Sequence, residues 1–513
     1  MRSDTITGSK AGITIAAMAA ALMSVLDISI VNVALSDIRA SFGTPLDQIA
    51  WVSTGYMMAN VVVIPMTGWL QRRFGFKRYF TGSILLFTAA SLLCGLAWNL
   101  PSLVVFRILQ GVGGGAIIPT SQAILFARYP REEHGMAGAL FGLGAVTGPL
   151  LGPTVGGLLI EAASWHWIFL INLPVGLFAA YMAWRHIDQP DFAPTQDKVD
   201  RYGIALLAVG MAALQFVLEE GTRKDWFDSL EITLLAVVAA VALITFVVHE
   251  LETPQPVVDL RVFANVSYTA ATGINLIVGT ALFAGSFLFS LFCGTVMRYS
   301  ALDIGLIFLK GSFIQLLLMP LIGRFGGKMD GRVLVGTGIV GMCLSLWVNG
   351  HLSTTADEAA LILPVFIRAC SLGMIFVPLS VMALSNLRPE QRGNAAGLYN
   401  LTRELGGSIG TAWMSSALNR TTKVNYTALT SHVDPYSQVT QEQVASLKAA
   451  VGARVADPLS AAYSILSQRI NGQALVRAFN ANFTVLTAIF ALSLVLVFLL
   501  KKPAAGVKVE GAH

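Results

Sequence analysis

The chain reads as an all-α polytopic membrane protein with fourteen transmembrane helices: two pseudo-repeated six-helix bundles and a central inserted helix pair. Three observations predict this class. Of 513 residues, 55% are hydrophobic and only 12% charged, with mean hydropathy +0.68, whereas a water-solvated globular chain carries about 25% charged residues. Apolar stretches of about 20 residues, the length a bilayer demands, recur along the sequence. One stretch of the first half also returns in the second at a fixed offset, the signature of an internal repeat.

The elements follow in order. Spans at 13–35, 50–70, 79–97, 101–126, 136–160 and 166–185 make an N-terminal bundle over 1–185. The first is too long for a signal-peptide core and is interrupted by Asp27, so it reads as a retained helix. The polar, proline-bearing HIDQPDFAPTQDKVDRY over 186–202 reads as a linker on the cytoplasmic side. Spans at 203–219 and 230–249 form the inserted pair, assigned to 203–250. Six more spans, at 268–292, 302–322, 333–350, 360–384, 394–418 and 480–500, make the C-terminal bundle over 251–500. That bundle includes a long polar outer loop at 419–479, and a tail follows at 501–513.

Charge placement orients these spans. With the N-terminus cytoplasmic, the inner segments hold twenty Lys and Arg residues and the short outer loops only Arg39, Arg223, Lys224 and Arg298. The positive-inside bias therefore puts both termini in the cytoplasm. The net charge of +5 is a topological surplus, and no nucleic-acid patch is predicted. Cys94, Cys293, Cys343 and Cys370 all fall in apolar spans without metal-ligand spacing.

The repeat is read from YPREEHGMAGALFGLGAVTGPLLG (129–152) and LRPEQRGNAAGLYNLTRELGGSIG (387–410). At an offset of 258, Glu132 matches Glu390, and Gly135, Gly148 and Gly152 match Gly393, Gly406 and Gly410. Weaker echoes pair GWLQRRFGFKR (68–78) with GRFGGKMDGR (323–332), and FRILQGVGGGAIIP (106–119) with IRACSLGMIFVP (367–378). Repeats of this kind build many secondary transporters around a midplane site.

Within the repeat, GLGAVTGPLLGPTVGGLL (142–159) places Gly144, Gly148, Gly152 and Gly156 every fourth residue, with Gly157 alongside. A small-residue face lets a neighbouring backbone approach closely, because packing drives association in lipid. Pro149 and Pro153 free local hydrogen bonds that neighbours must re-satisfy. The expectation is a smooth seam that slides during motion, with tight static packing as the alternative.

Intramembrane charges are functional candidates by default. Asp27 lies near the middle of the first span, and a carboxyl there is neutral or ionised according to what stands beside it. Arg107, in the fourth span, is a permanent cation able to bias a nearby acid. Arg403 and Glu404 are helix neighbours pointing about 100° apart, and the repeat matches them to Ala145 and Val146 beside the glycine face, so they are expected to project toward the junction between the halves. Glu404 is the second proton or cation-binding candidate. Lys310 reads as a residue that snorkels to the outer surface, and Arg368 as a further buried cation without an assigned role.

Other chemistries find no footing. GVGGGA (111–116) interrupts an apolar span instead of following a strand, so it is no dinucleotide fingerprint. No phosphate-cradling, zinc-protease or nucleophile-elbow motif is present, so no cofactor, metal or catalytic residue is assigned. In the outer loop, Thr440-Gln441-Glu442-Gln443 reads as a capping box before a Val444/Leu447/Val451 stripe. That stripe marks either a helix packed on the loop or a docking element for a periplasmic partner.

LDISIVNVAL, GWLQRRFGFKR, FRILQGVGGGAIIP and GAVTGPLLGPTVGG together resemble four signature motifs of the major facilitator superfamily, the last typical of its antiporters. WHWIFLINLPVG (165–176), PVVDLRVF (256–263) and NLTRELGGSIGT (400–411) extend the likeness to the fourteen-helix drug:proton antiporter branch with its EmrB-type multidrug exporters, over roughly 13–500. The resemblance implies that Asp27 couples proton movement to export, assisted by Arg107. It implies an antiport surface formed by Gly148, Pro149, Gly152, Pro153, Gly156 and Gly157. It also implies a cytoplasmic gating loop that includes Gly68, Arg73, Gly75 and Lys77, although Arg72 stands where the family usually has an aspartate.

The function expected is proton-coupled efflux of lipophilic or amphipathic compounds across a bacterial inner membrane by alternating access, conferring antibiotic resistance. A periplasmic membrane-fusion adaptor and an outer-membrane channel are the partners the resemblance suggests. A substrate cavity lined by Asn32, Tyr56, Asn60, Phe141, Tyr399 and Asn400 is expected from their aromatic and amide groups. The rival readings are a proton-coupled exporter or symporter of one metabolite (fatty acid, siderophore or bile-salt-like) and, furthest behind, a polytopic membrane enzyme.

Overall fold

A computed structural model describes residues 6–189, 199–325, 329–384, 387–434, 436–452 and 457–501. The expected linker therefore lies partly outside the described residues, as does nearly all of the 501–513 tail. All described regular structure is helical, apart from one isolated bridge between Thr7 and Asp188.

The first group comprises α1 (Lys10–Phe42), the single turn α2 (Leu46–Ile49), α3 (Trp51–Phe74), α4 (Phe76–Gly95), α5 (Leu100–Arg128), α6 (His134–Ala162), α7 (Trp167–Leu170) and α8 (Asn172–His186). Local chemistry sets several of these ends. Ser9 and Asn99 cap α1 and α5 through their side chains, and Gly75 makes the sharp α3–α4 turn at φ 77°. Then come α9 (Arg201–Glu220) and α10 (Leu230–Glu252), which pack on each other. The second group is α11 (Val266–Thr295), α12 (Ala301–Phe325), α13 (Gly331–Asn349), α14 (Glu358–Leu384), α15 (Pro389–Thr430), α16 (Gln438–Val451) and α17 (Pro458–Val497).

Eleven helical stretches among the described residues are long and apolar enough to cross a membrane. The sequence reading also counts α3, α6 and α15 as spans, and these fall outside that set. Buried Thr54, Asn60, Thr67 and Gln71 dilute the hydropathy of α3, and α15 runs on into polar sequence. In α6 several side chains lie outside those described. The count of fourteen is thus an expectation from sequence.

The two groups meet at the end that carries both described chain ends. There Gly68 of α3 sits against the Asn394 backbone, Gly397 of α15 against Ile64, and Gly135 of α6 against Gly323 of α12. Deeper in, Asn400 Nδ2 donates to Gln122 Oε1 at 2.6 Å. Thr7 bonds Asp188 and Lys501 N bonds Ser267 Oγ at this same end.

Toward the other end each group packs on itself. Gly148 and Gly152 face Leu26 and Ser29 of α1, while Gly406 and Gly410 face Leu276 and Thr280 of α11. The glycine face of α6 is thus a seam within the first group, between α6 and α1. A Cβ on Gly148 would lie 2.7 Å from Leu26 N, so only glycine permits the approach. The helical backbone of α6 includes Pro149 and Pro153, whose side chains lie outside the described residues.

The inserted pair bridges both groups. Phe216 of α9 rests on Trp51 of α3 with ring centroids 5.4 Å apart. On the other side Gln215 Nε2 donates to Ser408 Oγ at 3.0 Å, and Trp226 Nε1 to Ser416 Oγ at 2.7 Å.

Two helices outrun any bilayer. At 42 and 40 residues, α15 and α17 extend about 63 and 60 Å, against an apolar thickness of about 30 Å. Their ends pack together beside α16, whose Val444 and Leu447 join Ala462, Ile465 and Leu466 in a small apolar cluster. The α16 cap is Ser437, whose Oγ accepts from Thr440 N at 3.1 Å, so the expected Thr440 box starts one turn too late.

Candidate functional site

Asp27 lies inside the first group with no exposed surface. Burial of a carboxylate is tolerable only with a counter-charge and further hydrogen bonds, and α5 and α8 provide them, braced from α4. Arg107 Nη1 of α5 donates to Oδ2 at 2.6 Å. Gln110 Nε2 and Asn172 Nδ2, from α5 and α8, donate to Oδ1 at 2.9 and 2.8 Å. Behind them Ser91 Oγ of α4 accepts from Gln110 and Asn172 at 3.1 and 3.0 Å, and donates to the Phe169 carbonyl at 2.9 Å.

Arg107 is fixed as tightly. Its Nε donates to the Val52 carbonyl at 3.0 Å and its Nη1 also to Gln110 Oε1 at 2.7 Å. Its guanidinium lies 4.3 Å from the centroid of the Tyr56 ring, a favourable placement for a cation over an aromatic face. Gln110 stands one helical turn from Arg107, so both point the same way. Asn172 opens α8 just past the break that separates it from α7. The network thus ties five spans to one ionisable group.

The remaining predicted residues lie elsewhere. Arg403 is 5% exposed and sits over the Phe376 ring at 5.5 Å; its Nη2 is 3.4 Å from Glu404 Oε1. Among the described residues no ion pair or hydrogen bond joins this pair to Asp27. Because the α15 glycine face turns to α11, Arg403 packs inside the second group and not at a junction between halves; the Glu404 side chain stays 16% accessible. Lys310 reaches Glu358 at 2.6 Å, with both side chains about half exposed, at the end remote from the chain termini.

In the expected gating loop, Gly68 forms the contact already described and Arg73 lies 5.8 Å from the Trp69 ring centroid. Lys77 Nζ pairs with Asp188 at 3.2 Å and covers the Trp184 ring. Arg72 closes the last turn of α3, before Gly75.

Of the six residues expected to line one cavity, five are buried and one is exposed. Tyr56 belongs to the Asp27 network, and Asn60, Phe141, Tyr399 and Asn400 are buried; the closed end of the cleft accounts for Asn400, bonded across it to Gln122. Only Asn32 is exposed, accepting from Ser53 Oγ at 3.2 Å. Sequence reasoning missed Gln110, Asn172 and Ser91. Gln110 carried a signal, its spacing from Arg107; Asn172 and Ser91 carried none beyond being polar in apolar spans.

The first group thus buries an acid–arginine pair and is apposed to the second group through α3, α5 and α6. The sequence of residues 17–411 matches the family model described as Major Facilitator Superfamily. The chain belongs to that superfamily. Major facilitator relatives similar to it include the multidrug export protein EmrB of Haemophilus influenzae, 34% identical over 96% of each chain. The fatty acid resistance protein FarB of Neisseria gonorrhoeae is likewise 34% identical over 96% of each, and EmrB of Escherichia coli K12 is 33% identical over 98% of this chain and 97% of that one. Among solved structures, the human organic anion transporter MFSD10 shares the fold at TM-score 0.60 and 12% identity, covering 95% of this chain and 99% of that one. This superfamily member is a transporter, not an enzyme.

Proposed function

We propose that the chain is a proton-coupled multidrug exporter of a bacterial inner membrane, with both termini cytoplasmic. The observation that carries the reading is the Asp27–Arg107 pair, sealed inside the first group at 2.6 Å. Residues 1–185 and 251–500 act as two halves that rock about a cleft, joined by the 186–202 linker and the 203–250 pair. On this reading the closed terminal end is the cytoplasmic one and the cleft faces outward.

A proton arriving from outside neutralises Asp27 and removes the counter-charge of Arg107, so the network must rearrange. The rearranged state is the one that opens inward and takes up drug from the cytoplasm or inner leaflet. Proton release inside restores the ion pair and the outward state. Glu404 and Arg403 form a second charge-bearing site on α15. The drug biases this cycle only through unequal affinity for the two states. One charge crossing 100 mV supplies about 2.3 kcal/mol, enough for roughly a fifty-fold gradient.

The relatives named for multidrug export support drugs as substrates, and the one named for fatty acid resistance places anionic amphiphiles among the compounds to test. The helical extension formed by α15, α16 and α17 is the docking element for a periplasmic adaptor, through which an outer-membrane channel is reached. Everted vesicles energised with a pH gradient test the cycle. Drug-induced proton efflux is expected from the wild type and lost in Asp27→Asn; normal export by Asp27→Asn would refute the proton assignment.

A further inference from the structure

Arg107 and Arg368 are each buried against the first helix of their group, and only the first of the two has an acid to meet. In the first group Arg107 faces Asp27 on α1. In the second, Arg368 of α14, which the FRILQ/IRACS echo aligns with Arg107, donates from Nη1 to Ser286 Oγ on α11 at 2.8 Å. Its guanidinium lies 5.0 Å from the Phe308 ring centroid on α12. None of the ion pairs among the described residues includes Arg368.

The residue is 9% exposed against 1% for Arg107, so it is buried but not sealed. A guanidinium stays charged at any working pH and presents five donors in a planar fork suited to a carboxylate or phosphate. Burying such a charge beside one neutral hydroxyl is costly. Beside it stand the edge-to-face rings of Phe289 and Phe308, 5.4 Å apart. Fixed positive charge next to aromatic wall is complementary to a molecule with an anionic head and an apolar body.

We propose that Arg368, with Ser286 and the Phe289–Phe308 pair, is a substrate subsite for the head group of anionic amphiphiles, the substrate itself supplying the missing counter-charge. This rests on the exporter reading and narrows it. Arg368 holds the carboxylate in a charge-assisted hydrogen-bonded pair, Ser286 orients the guanidinium, and the rings take the first part of the tail. Cationic drugs would bind the same cleft without engaging Arg368.

Binding of radiolabelled dodecanoate and of tetraphenylphosphonium to the purified full chain tests this without requiring transport. Arg368→Gln is expected to weaken dodecanoate binding about tenfold or more, the scale of a charge-assisted pair, and to leave tetraphenylphosphonium binding unchanged. Ser286→Asp supplies an internal carboxylate and is expected to have the same selective effect while raising thermal stability. If Arg368→Gln fails to fold, Ser286→Asp and Arg368→Lys decide the matter, the lysine retaining part of the dodecanoate affinity.

The inference is overturned if the wild type binds no dodecanoate, if these variants bind it normally, or if a stably folded variant loses both ligands in parallel. Selective loss of dodecanoate in a protein that shows no proton-driven export would sink the exporter reading and leave the subsite standing.

Discussion

The side-chain amide of Asn400 donates to Gln122 Oε1 at 2.6 Å, joining α15 of one group to α5 of the other near the closed end of the cleft. Loss of this bond in Asn400→Ala should cost about 1 kcal/mol, a factor of about five in the balance of states. Gly68→Val should do more, because even a Cβ there would lie 2.5 Å from the Asn394 backbone. Spin labels at Arg39→Cys and Leu302→Cys report the far end, and both variants are expected to shorten that distance.

Asp27→Asn removes the only charge that compensates Arg107 in its network. Breaking a buried pair from one side costs about 3–5 kcal/mol, so the thermal midpoint in detergent should fall clearly. Removing both charges, as in Asp27→Asn with Arg107→Met, should recover part of that stability while export stays lost. A double variant no more stable than the single would show that the pair is not the source of the penalty.

The α6 glycines should divide sharply by position. Gly148→Ala presses a methyl group onto the α1 backbone, whereas a Cβ on Gly157 meets nothing within 4 Å. Export by Gly148→Ala is expected to drop at least about tenfold, one increment of about 1.4 kcal/mol in a state balance. Gly157→Ala should match the wild type. Drug accumulation in cells at matched membrane expression checks both.

The helical extension should loosen without disturbing transport by the isolated protein. Ser437→Ala removes the α16 cap at a cost of about 1 kcal/mol, and Leu447→Ala takes away part of its anchor on α17. Limited proteolysis near Gly452 is expected to quicken in both. Export by the reconstituted chain should be retained while capture of an adaptor weakens.

Much of this was legible in the sequence because a bilayer imposes long apolar runs and makes each interrupting charge conspicuous. Asp27 and Arg107 stood out for that reason, and the structure sets them in contact. Their amide and hydroxyl partners did not, since Gln110, Asn172 and Ser91 carry no charge and many such residues are scattered through the spans. The contact of Tyr56 with Arg107 was not legible either, because a tyrosine facing drug and one beneath an arginine look alike in sequence. The glycine face was legible as a packing surface, but not the neighbour it chooses: small residues specify close approach and leave its partner to the topology. The lengths of α15 and α17 were hidden because composition changes from apolar to polar where the chain leaves the membrane, although the helices continue unbroken.

That continuity has a mechanical consequence. A helix whose hydrogen-bond ladder runs without interruption from the cleft to the tip behaves as a lever arm with its fulcrum in the bilayer. Any tilt of α15 at the level of Asn400 is magnified at the α16 cap in proportion to the length beyond the membrane. A protein clasping that tip would sense which way the cleft faces without touching a single residue that binds drug or proton.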